Sequence, residues 1–414
     1  MVKGSAHRGS LTQHRDLRTG ESVWSRSWGL TVPCVRLRKD VTCDVAVVGA
    51  GISGALMALK LTHMGQHVAV VDRRAPIHGS TMASTSLLQF EVDVPLSTLS
   101  ERIGPAKARR AWRRSVRAVQ ELKALVRHEQ IRCGMVSCRS LYLAGDAYGA
   151  RALAREARAR ARAGISGRFL DHDALWRCCA VDRAGAIMSS GNAVGNPAQL
   201  TAALLRRASS NGAHIYSPAD VIHVAATTRR VELSTAGGAT ITASHAVFCT
   251  GYELLTGMTV ARHSIKSTWA IATHSADALP KWLDRTVVWE ASDPYLYMRT
   301  TSDGRVIAGG EDEASATRHT NRRLLTSKSA AILRKVQALV PGATLELSHC
   351  WAGAFGESST GLPTIDRVAG MPRCHAVTGF GGNGITYSLI ASAVVSRSIA
   401  GVRDSDADLY RAPR

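Results

Sequence analysis

Three glycines and one acidic residue near the start of the chain have the types and spacing that hold a dinucleotide. Gly49, Gly51 and Gly54 follow an apolar strand and open a helix-like stretch, and a second apolar strand ends on Asp72. We expect Gly49 to permit a tight turn, Gly51 to let the backbone approach a pyrophosphate, and Gly54 to let helix and strand pack closely. Asp72 stands 18 residues beyond Gly54, where an acid can bind the adenosine ribose hydroxyls.

A second glycine cluster lies near the other end of the chain. Residues 375–391 read as a short apolar strand, a run of glycines between 379 and 384, and a helix-like stretch. This pattern predicts a second helix N-terminus that can face a ligand. A nicotinamide enzyme does not need one, whereas the flavin O2 and ribityl chain gain from a helix dipole and nearby N–H donors. The two clusters together favour FAD.

The chain resembles the FAD-dependent oxidoreductases of the D-amino-acid oxidase type, which include glycine and sarcosine oxidases. The resemblance covers roughly residues 42–400. The segments that carry it are 44–72, 246–251, 295–313 and 379–385, and 84–93 and 355–363 are most similar to γ-glutamylputrescine oxidase-like proteins. It implies an α/β (α+β) fold, in which a Rossmann-like FAD-binding domain is interleaved with a substrate domain built on a mostly antiparallel sheet.

The same resemblance predicts the domain boundaries. We expect residues 1–41 to form a basic arm that is mobile or draped on the surface. The expected FAD-binding domain consists of residues 42–95, 187–255 and 350–402, and the expected substrate domain of residues 96–186 and 256–349.

The cofactor is expected to be noncovalent FAD. Several relatives bind FAD covalently through His or Cys, but Gly353 falls near the position that would carry a cysteine. The residues expected to bind FAD are Gly49, Gly51, Ser53, Gly54, Asp72, Arg73, Ser84, Thr85, Gln89, Val221, Gly251, Gly381, Gly382, Asn383, Gly384 and Ile385.

Two groups of residues are candidates for substrate binding and catalysis. Tyr297 and Arg299 share one face of a strand. The resemblance places Arg299 where glycine-oxidase-like enzymes hold the substrate carboxylate, and a structural arginine paired with Glu311 or Asp312 is the alternative. Many relatives carry an arginine where this chain has Phe355.

The other candidate, Glu357, lies two residues further on. A carboxylate near the flavin would suit a cationic amine or a substrate with both charges, and a loop carboxylate bound by backbone donors is the alternative. Some oxidases of this family place a lysine of one strand over the flavin, where it helps to activate oxygen. Here residues 306–310 contain none, and Lys266 on another strand is a weak substitute.

Composition limits the remaining possibilities. The formal net charge is +20 and only 9 of 52 basic residues are lysine, a skew that coding bias alone can produce. Two stretches, 106–130 and 151–162, should be helices with basic faces that attract acidic substrates or partners. Nucleic acid is an unlikely partner because no RNA-binding aromatic pattern accompanies them. Nine scattered cysteines without a CxxC pair, no signal peptide and no membrane-spanning run indicate a cytoplasmic protein without a metal site.

These observations predict an FAD-dependent oxidoreductase that acts on the C–N bond of an amine or amino acid. Hydride would pass to flavin N5, water would hydrolyse the resulting imine, and oxygen would reoxidise the flavin. A dehydrogenase that uses a quinone or a carrier protein is one alternative. A flavin domain of a tRNA-modifying enzyme and an FAD-binding subunit without turnover are the others.

Overall fold

The computed structural model describes residues 11–253, 255–256 and 263–412. Within this part the chain forms two sheets and eight α-helices. The helices are α1 (Ile52–Thr62), α2 (Leu96–Ile103), α3 (Pro105–His128), α4 (Ala150–Arg162), α5 (His172–Cys179), α6 (Pro197–Ser210), α7 (Arg322–Leu339) and α8 (Gly384–Ile399). None of the described helices is both long and apolar enough to cross a membrane.

The strands alternate between the two sheets along the sequence. In chain order they are β1 (Arg18–Gly20), β2 (Val41–Val48), β3 (Val68–Val71), β4 (Leu87–Leu88), β5 (Val136–Leu143), β6 (Arg168–Asp171), β7 (Gly185–Val194), β8 (His214–Tyr216) and β9 (Val221–Ala226). They continue with β10 (Val231–Thr235), β11 (Thr240–Phe248), β12 (His263–Ser275), β13 (Thr286–Glu290), β14 (Leu296–Thr300), β15 (Arg305–Glu313), β16 (Leu347–Ser358), β17 (Thr364–Arg367) and β18 (Cys374–Thr378).

The first sheet, here called the parallel sheet, has the order β17-β18-β11-β2-β3-β8, with the hairpin β9–β10 attached to β11. Strands β18, β11, β2, β3 and β8 run parallel. Its central strands are apolar on both faces because both faces are covered. Val45 and Val47 pack towards α1, α6 and α8, and Ala46 and Val48 pack towards the hairpin.

The second sheet, here called the antiparallel sheet, has the order β1-β16-β12-β15-β14-β13-β5-β7-β4, with β6 beside β7. Alternate residues of β12 face opposite sides, as a strand requires. Ala270 and Ala272 join the core shared with the parallel sheet, whereas Trp269 and Ile271 pack in a second core with α7. The expected mixed α/β fold with a largely antiparallel second sheet is confirmed.

Two strands and two helices belong to a different part of the structure from the one that the predicted domain boundaries assign to them. Strands β7 and β16 belong to the antiparallel sheet, although most of each falls in ranges assigned to the FAD-binding domain. Helices α2 and α3, assigned to the substrate domain, instead contribute Leu99 and Trp112 to the core around α1 and α8. Alternation of apolar residues identifies a strand or a helix face but not its partner, so the sequence could not place these segments.

The N-terminal segment 11–37 is docked on the body of the protein. Strand β1 pairs with β16, and Leu17 and Trp24 are 7% and 5% exposed. The indole N–H of Trp24 donates to the carbonyl of Ser84 at 2.7 Å. Residues 1–10 of the predicted arm lie outside the described residues.

Candidate functional site

The turn between β2 and α1 has the geometry that its glycines predicted. Gly49 has a φ of +113°, and a Cβ there would collide with the carbonyl of Cys249. A Cβ on Gly54 would collide with the carbonyl of Gly49, so close packing of helix on strand requires glycine. Gly51 precedes the first turn of α1, which has no acidic residue and no side-chain cap. The backbone N–H of Ile52 donates to Thr81 Oγ1 at 3.0 Å, and the N–H groups that follow it in this turn can bind an anion.

Asp72 ends β3 beside this turn. Its carboxylate accepts the backbone N–H groups of Ala50 at 2.7 Å and Arg74 at 2.8 Å. Burial raises the pKa of Asp72, and these two hydrogen bonds oppose the rise. Arg73 and Arg74 both pair with Glu253. Asp72 thus fixes the turn, and ribose binding by its remaining lone pairs stays a prediction.

The second helix N-terminus, at α8, faces the same space. Asn383 precedes α8 without capping it, and the first turn contains no acid. The carboxylate of Asp93 accepts the N–H of Gly382 at 2.7 Å and the side-chain N–H of Asn383 at 3.0 Å. A Cβ on Gly381 would collide with this carboxylate. Asp93, which the sequence analysis did not select, therefore holds the glycine loop in position.

The segment 83–85 runs between the two sheets and is held by three buried donors. The indole N–H of Trp351 donates to the carbonyl of Ala83 at 2.9 Å, and that of Trp24 donates to Ser84. Arg299 Nε donates to the carbonyl of Thr85 at 2.8 Å. Because backbone carbonyls are fixed in this way, the side chains of Ser84 and Thr85 are presented to the cavity.

These elements enclose one long cavity with an empty volume of about 1810 Å³, including the solvent at its mouth. Of the residues expected to bind FAD, only Gly54 does not line the cavity. Those that do are Gly49, Gly51, Ser53, Asp72, Arg73, Ser84, Thr85, Gln89, Val221, Gly251, Gly381, Gly382, Asn383, Gly384 and Ile385.

The cavity has two chemically different ends. The dinucleotide end, defined by the turn after β2, Asp72 and the loop 250–253, is built largely from backbone groups. The substrate end is lined by side chains of the antiparallel sheet, namely Thr268, Trp289, Tyr295, Tyr297 and Phe355. A Cβ on Gly309 of β15 would collide with the hydroxyl of Tyr297, so this glycine makes room for the ring.

Arg299 does not lie where a substrate carboxylate could reach it. It is 3% exposed, does not line the cavity, and donates to the carbonyls of Thr85 and Gly195 at 2.8 and 2.9 Å. Its guanidinium also lies over the ring of Trp24 at 5.4 Å. Burial lowers the pKa of Arg299 to about 10. Residue alternation correctly put Tyr297 and Arg299 on one face, but the chain at 84–86 covers Arg299.

Glu357 is also placed differently from the expectation. Its carboxylate pairs with Lys266 Nζ at 2.5 Å, about a third of each side chain is exposed, and neither residue lines the cavity. Phe355 and Tyr297 do line it. Asp312 on β15 lies beside the hydroxyls of Thr268 and Tyr295 but does not itself line the cavity. The segment 295–313 was recognised as a whole, but nothing in it distinguished Asp312 from its acidic neighbours.

The described residues fit FAD. Two helix N-termini without acidic residues meet at the cavity, and Ser80 Oγ, Ser86 Oγ and Gln89 Nε2, on residues that line it, have no hydrogen-bond partner although they are buried. Buried polar atoms of this kind require a partner, which a dinucleotide can provide. Cys249 is the only thiol among the described lining residues, and burial raises its pKa to about 12.

Comparisons with known proteins agree with this geometry. A model of the DAO family, described as FAD dependent oxidoreductase, matches residues 44–397. The chain is similar to solved structures of glycine oxidase from Geobacillus kaustophilus (TM-score 0.75, 20% identity, 90% of this chain and 99% of that one) and of L-proline dehydrogenase from P. horikoshii (TM-score 0.74, 16% identity, 91% and 97%). Iminodiacetate oxidase from Chelativorans sp. BNC1 is also similar (TM-score 0.68, 20% identity, 87% and 96%). At these identities the likeness establishes the fold.

One curated relative matches a smaller region. YhfW of Bacillus subtilis (strain 168), named for a Rieske 2Fe-2S iron-sulfur centre, is 28% identical over 122 residues. The match spans 29% of this chain and 24% of that protein.

Proposed function

Because the chain belongs to the DAO family of FAD-dependent oxidoreductases, we propose that it oxidises the C–N bond of an amine or amino acid. The observation that carries this proposal is one continuous cavity, which runs from the N-termini of α1 and α8 to an aromatic end in the antiparallel sheet. FAD, when bound, supplies a hydride acceptor at N5. Water then hydrolyses the imine that the substrate becomes.

The residues of this chain have three tasks in that chemistry. The turn after β2 and the N-terminus of α1, with Gly51 and Ser53, would hold the pyrophosphate. The loop that precedes α8, which Asp93 holds in place through Gly382 and Asn383, would position the ring end. Tyr295, Tyr297 and Phe355 form walls that exclude water and orient the substrate C–H bond, which is the main contribution a protein makes to hydride transfer.

We further propose that FAD is held noncovalently. Cys249, the described thiol at the cavity, is kept protonated by burial, and a thiol must ionise to become a nucleophile. Denaturation of the purified protein should therefore release all of its FAD into a filtrate. Yellow colour retained by the precipitated chain would contradict this.

Oxygen is the proposed electron acceptor, and a dehydrogenase is the second candidate. Lys266, which could act on oxygen, is engaged by Glu357 at 2.5 Å. Residues 306–310 contain no lysine. Both observations are compatible with a quinone or a carrier protein as the electron acceptor.

An anaerobic flavin-bleaching screen tests the proposed function. Purified holoenzyme is mixed with amines and amino acids, and the absorbance of oxidised FAD is followed. Bleaching by one class identifies the substrate, and return of the colour with hydrogen peroxide after air is admitted identifies an oxidase. Bleaching that persists in air favours the dehydrogenase. If no amine or amino acid bleaches the flavin, C–N oxidation is contradicted.

A further inference from the structure

A second cavity lies on the parallel sheet, at the opposite end of β18 from the long cavity. The long cavity meets the segment that follows this strand, from Phe380 onwards, whereas the second cavity meets Arg373 and His375 at its start. Its empty volume is about 1240 Å³, including the solvent at its mouth, and the described residues that line it line no part of the long cavity. A ligand in it would therefore not displace FAD or substrate.

The charged groups around this second cavity, here called the basic cavity, are of one sign. Its described lining residues include Arg367, Arg373, His245 and His375 but no acidic residue. Burial lowers the pKa of His245, and Arg373 and Arg367 lower it further, so both guanidinium groups lie close to this ring. The acid nearest to them in sequence, Asp366, accepts two backbone N–H groups. Two guanidinium groups without a carboxylate between them produce a positive potential that favours an anion.

Arg373 is held in a fixed position at the basic cavity. Its φ is +62°, a left-handed conformation that residues other than glycine rarely adopt. Its Nε donates to the carbonyl of Thr228 at 2.6 Å, and its Nη1 lies 3.4 Å from both the carbonyl of Ser244 and Nε2 of His245. These contacts leave Nη2 without a hydrogen bond to a described residue. A guanidinium group that is already fixed loses less entropy when it binds an oxyanion.

His375 lines the basic cavity, is 3% exposed, and has incomplete hydrogen bonding. Its Nε2 is hydrogen-bonded to Ser398 Oγ at 3.1 Å, whereas its Nδ1 is buried and has no partner among the described residues. Burial lowers the pKa of His375 to about 4, with further contributions from Arg367 and His245, so the ring is neutral at neutral pH. When Ser398 donates to Nε2, Nδ1 carries the proton and is a donor that requires an acceptor.

The C-terminus of α8 also borders the basic cavity, through Ser398 and Ile399. A helix C-terminus carries the equivalent of about −0.5 charge, which opposes an anion. Part of this charge is already compensated, because the carbonyl of Ser398 accepts the N–H of Gly401 at 3.2 Å. The two full positive charges of the arginines therefore outweigh it.

We propose that the basic cavity binds a dianionic oxyanion, either free phosphate or the phosphate group of a small metabolite, between Arg367 and Arg373. Two guanidinium groups match two negative charges, and phosphate oxygens accept hydrogen bonds from several donors at once. Nη2 of Arg373 and Nδ1 of His375 are the donors that such an oxyanion would satisfy. A carboxylate carries one charge and would leave one guanidinium group unpaired. The site is separate from the proposed C–N oxidation and does not depend on it.

Isothermal titration of the FAD-loaded protein with inorganic phosphate, methyl phosphate and acetate tests this. Bound FAD fills the pyrophosphate site, and NaCl at about 0.15 M screens diffuse attraction to a chain of net charge +20. We expect phosphate to bind at least ~10-fold more tightly than acetate, because it pairs with a second guanidinium group. Methyl phosphate distinguishes the two sources of this chemistry. Binding at least as tight as that of phosphate indicates a phosphate ester, and weaker binding indicates the free ion.

Three variants, all expected to retain FAD, locate the site. Arg373→Gln should weaken phosphate binding about 10-fold or more. Arg367→Gln should weaken it about 5-fold or more, and it changes an exposed side chain of the edge strand β17, so the fold is preserved. Arg168→Gln is the matched control, because it removes an exposed arginine from the antiparallel sheet, and its effect should stay under about 2-fold. The proposal is overturned if the FAD-loaded protein does not bind phosphate, if acetate binds as tightly, or if Arg367→Gln binds phosphate as tightly as Arg168→Gln does.

Discussion

The two ends of the cavity are built in different ways. At the dinucleotide end, Gly49, Gly51 and Gly54 belong to one continuous βαβ unit, and backbone N–H groups supply the recognition. At the substrate end, Thr268, Trp289, Tyr297 and Phe355 come from four different strands, and side chains supply it. Backbone recognition imposes a fixed local spacing on the sequence, whereas side-chain recognition depends on pairing between distant strands.

The largest expected effect is at the dinucleotide end, and its absence would contradict this comparison. Gly51→Val places a branched side chain where the pyrophosphate must approach, and a Cβ alone would lie 3.1 Å from Thr81 Oγ1. We expect FAD affinity to fall at least ~100-fold, measured by equilibrium dialysis and by the colour of the purified protein. Gly342→Val, where a Cβ meets nothing within 4 Å, should bind FAD normally. Full FAD content in Gly51→Val would refute the dinucleotide site.

Arg299 gives the next largest effect and sharpens the difference between the ends. Arg299→Ala leaves the carbonyls of Thr85 and Gly195 without donors and opens a cavity, so stability should fall by about 3 kcal/mol. The checks are the thermal unfolding midpoint and FAD release, while the ratio of KM values for amine and amino acid substrates should not change. Arg305→Ala, which removes a partly exposed pair with Asp303, should cost under ~1 kcal/mol. If the unfolding midpoint is unchanged and only the KM for acidic substrates rises, Arg299 binds the substrate carboxylate after all.

The smallest expected effect concerns the N-terminal segment, which closes the cavity between its two ends. Leu17 and Thr12 line the cavity, and the carbonyl of Leu17 accepts the N–H of Ala354 at 3.1 Å. Leu17→Ala should accelerate FAD dissociation about 10-fold through lost packing, measured by the return of free-flavin fluorescence. Val35→Ala, in the same segment but 59% exposed, should not. Equal dissociation rates would show that the segment does not retain FAD.

The sequence predicts the dinucleotide end of the cavity better than it predicts the substrate end. Helix α6 follows Asn196 and begins at Pro197, a pair of residue types that is a local signal for a helix start, and the Asn196 side chain accepts the N–H groups of Ala198 and Gln199. The βαβ unit and the loop before α8 were equally accessible, because their signals are local. The burial of Arg299 was not accessible, because it depends on which chain segments cross above the strand. The surface against which residues 11–37 dock was likewise not accessible, because it depends on the pairing of β1 with the distant strand β16.

Anaerobic reduction of the bound flavin by two matched compounds tests the central claim most directly. Butane-1,4-diamine and ornithine differ by one carboxylate, so their relative rates of flavin bleaching report which chemistry the substrate end accepts. Asp93, Tyr295 and Tyr297 line the cavity, and the arginines among its described lining residues, Arg73 and Arg74, are both paired with Glu253. This arrangement predicts that the diamine reduces the flavin faster, by about 10-fold or more at equal concentration. Faster reduction by ornithine, or no reduction by either compound, would contradict the account.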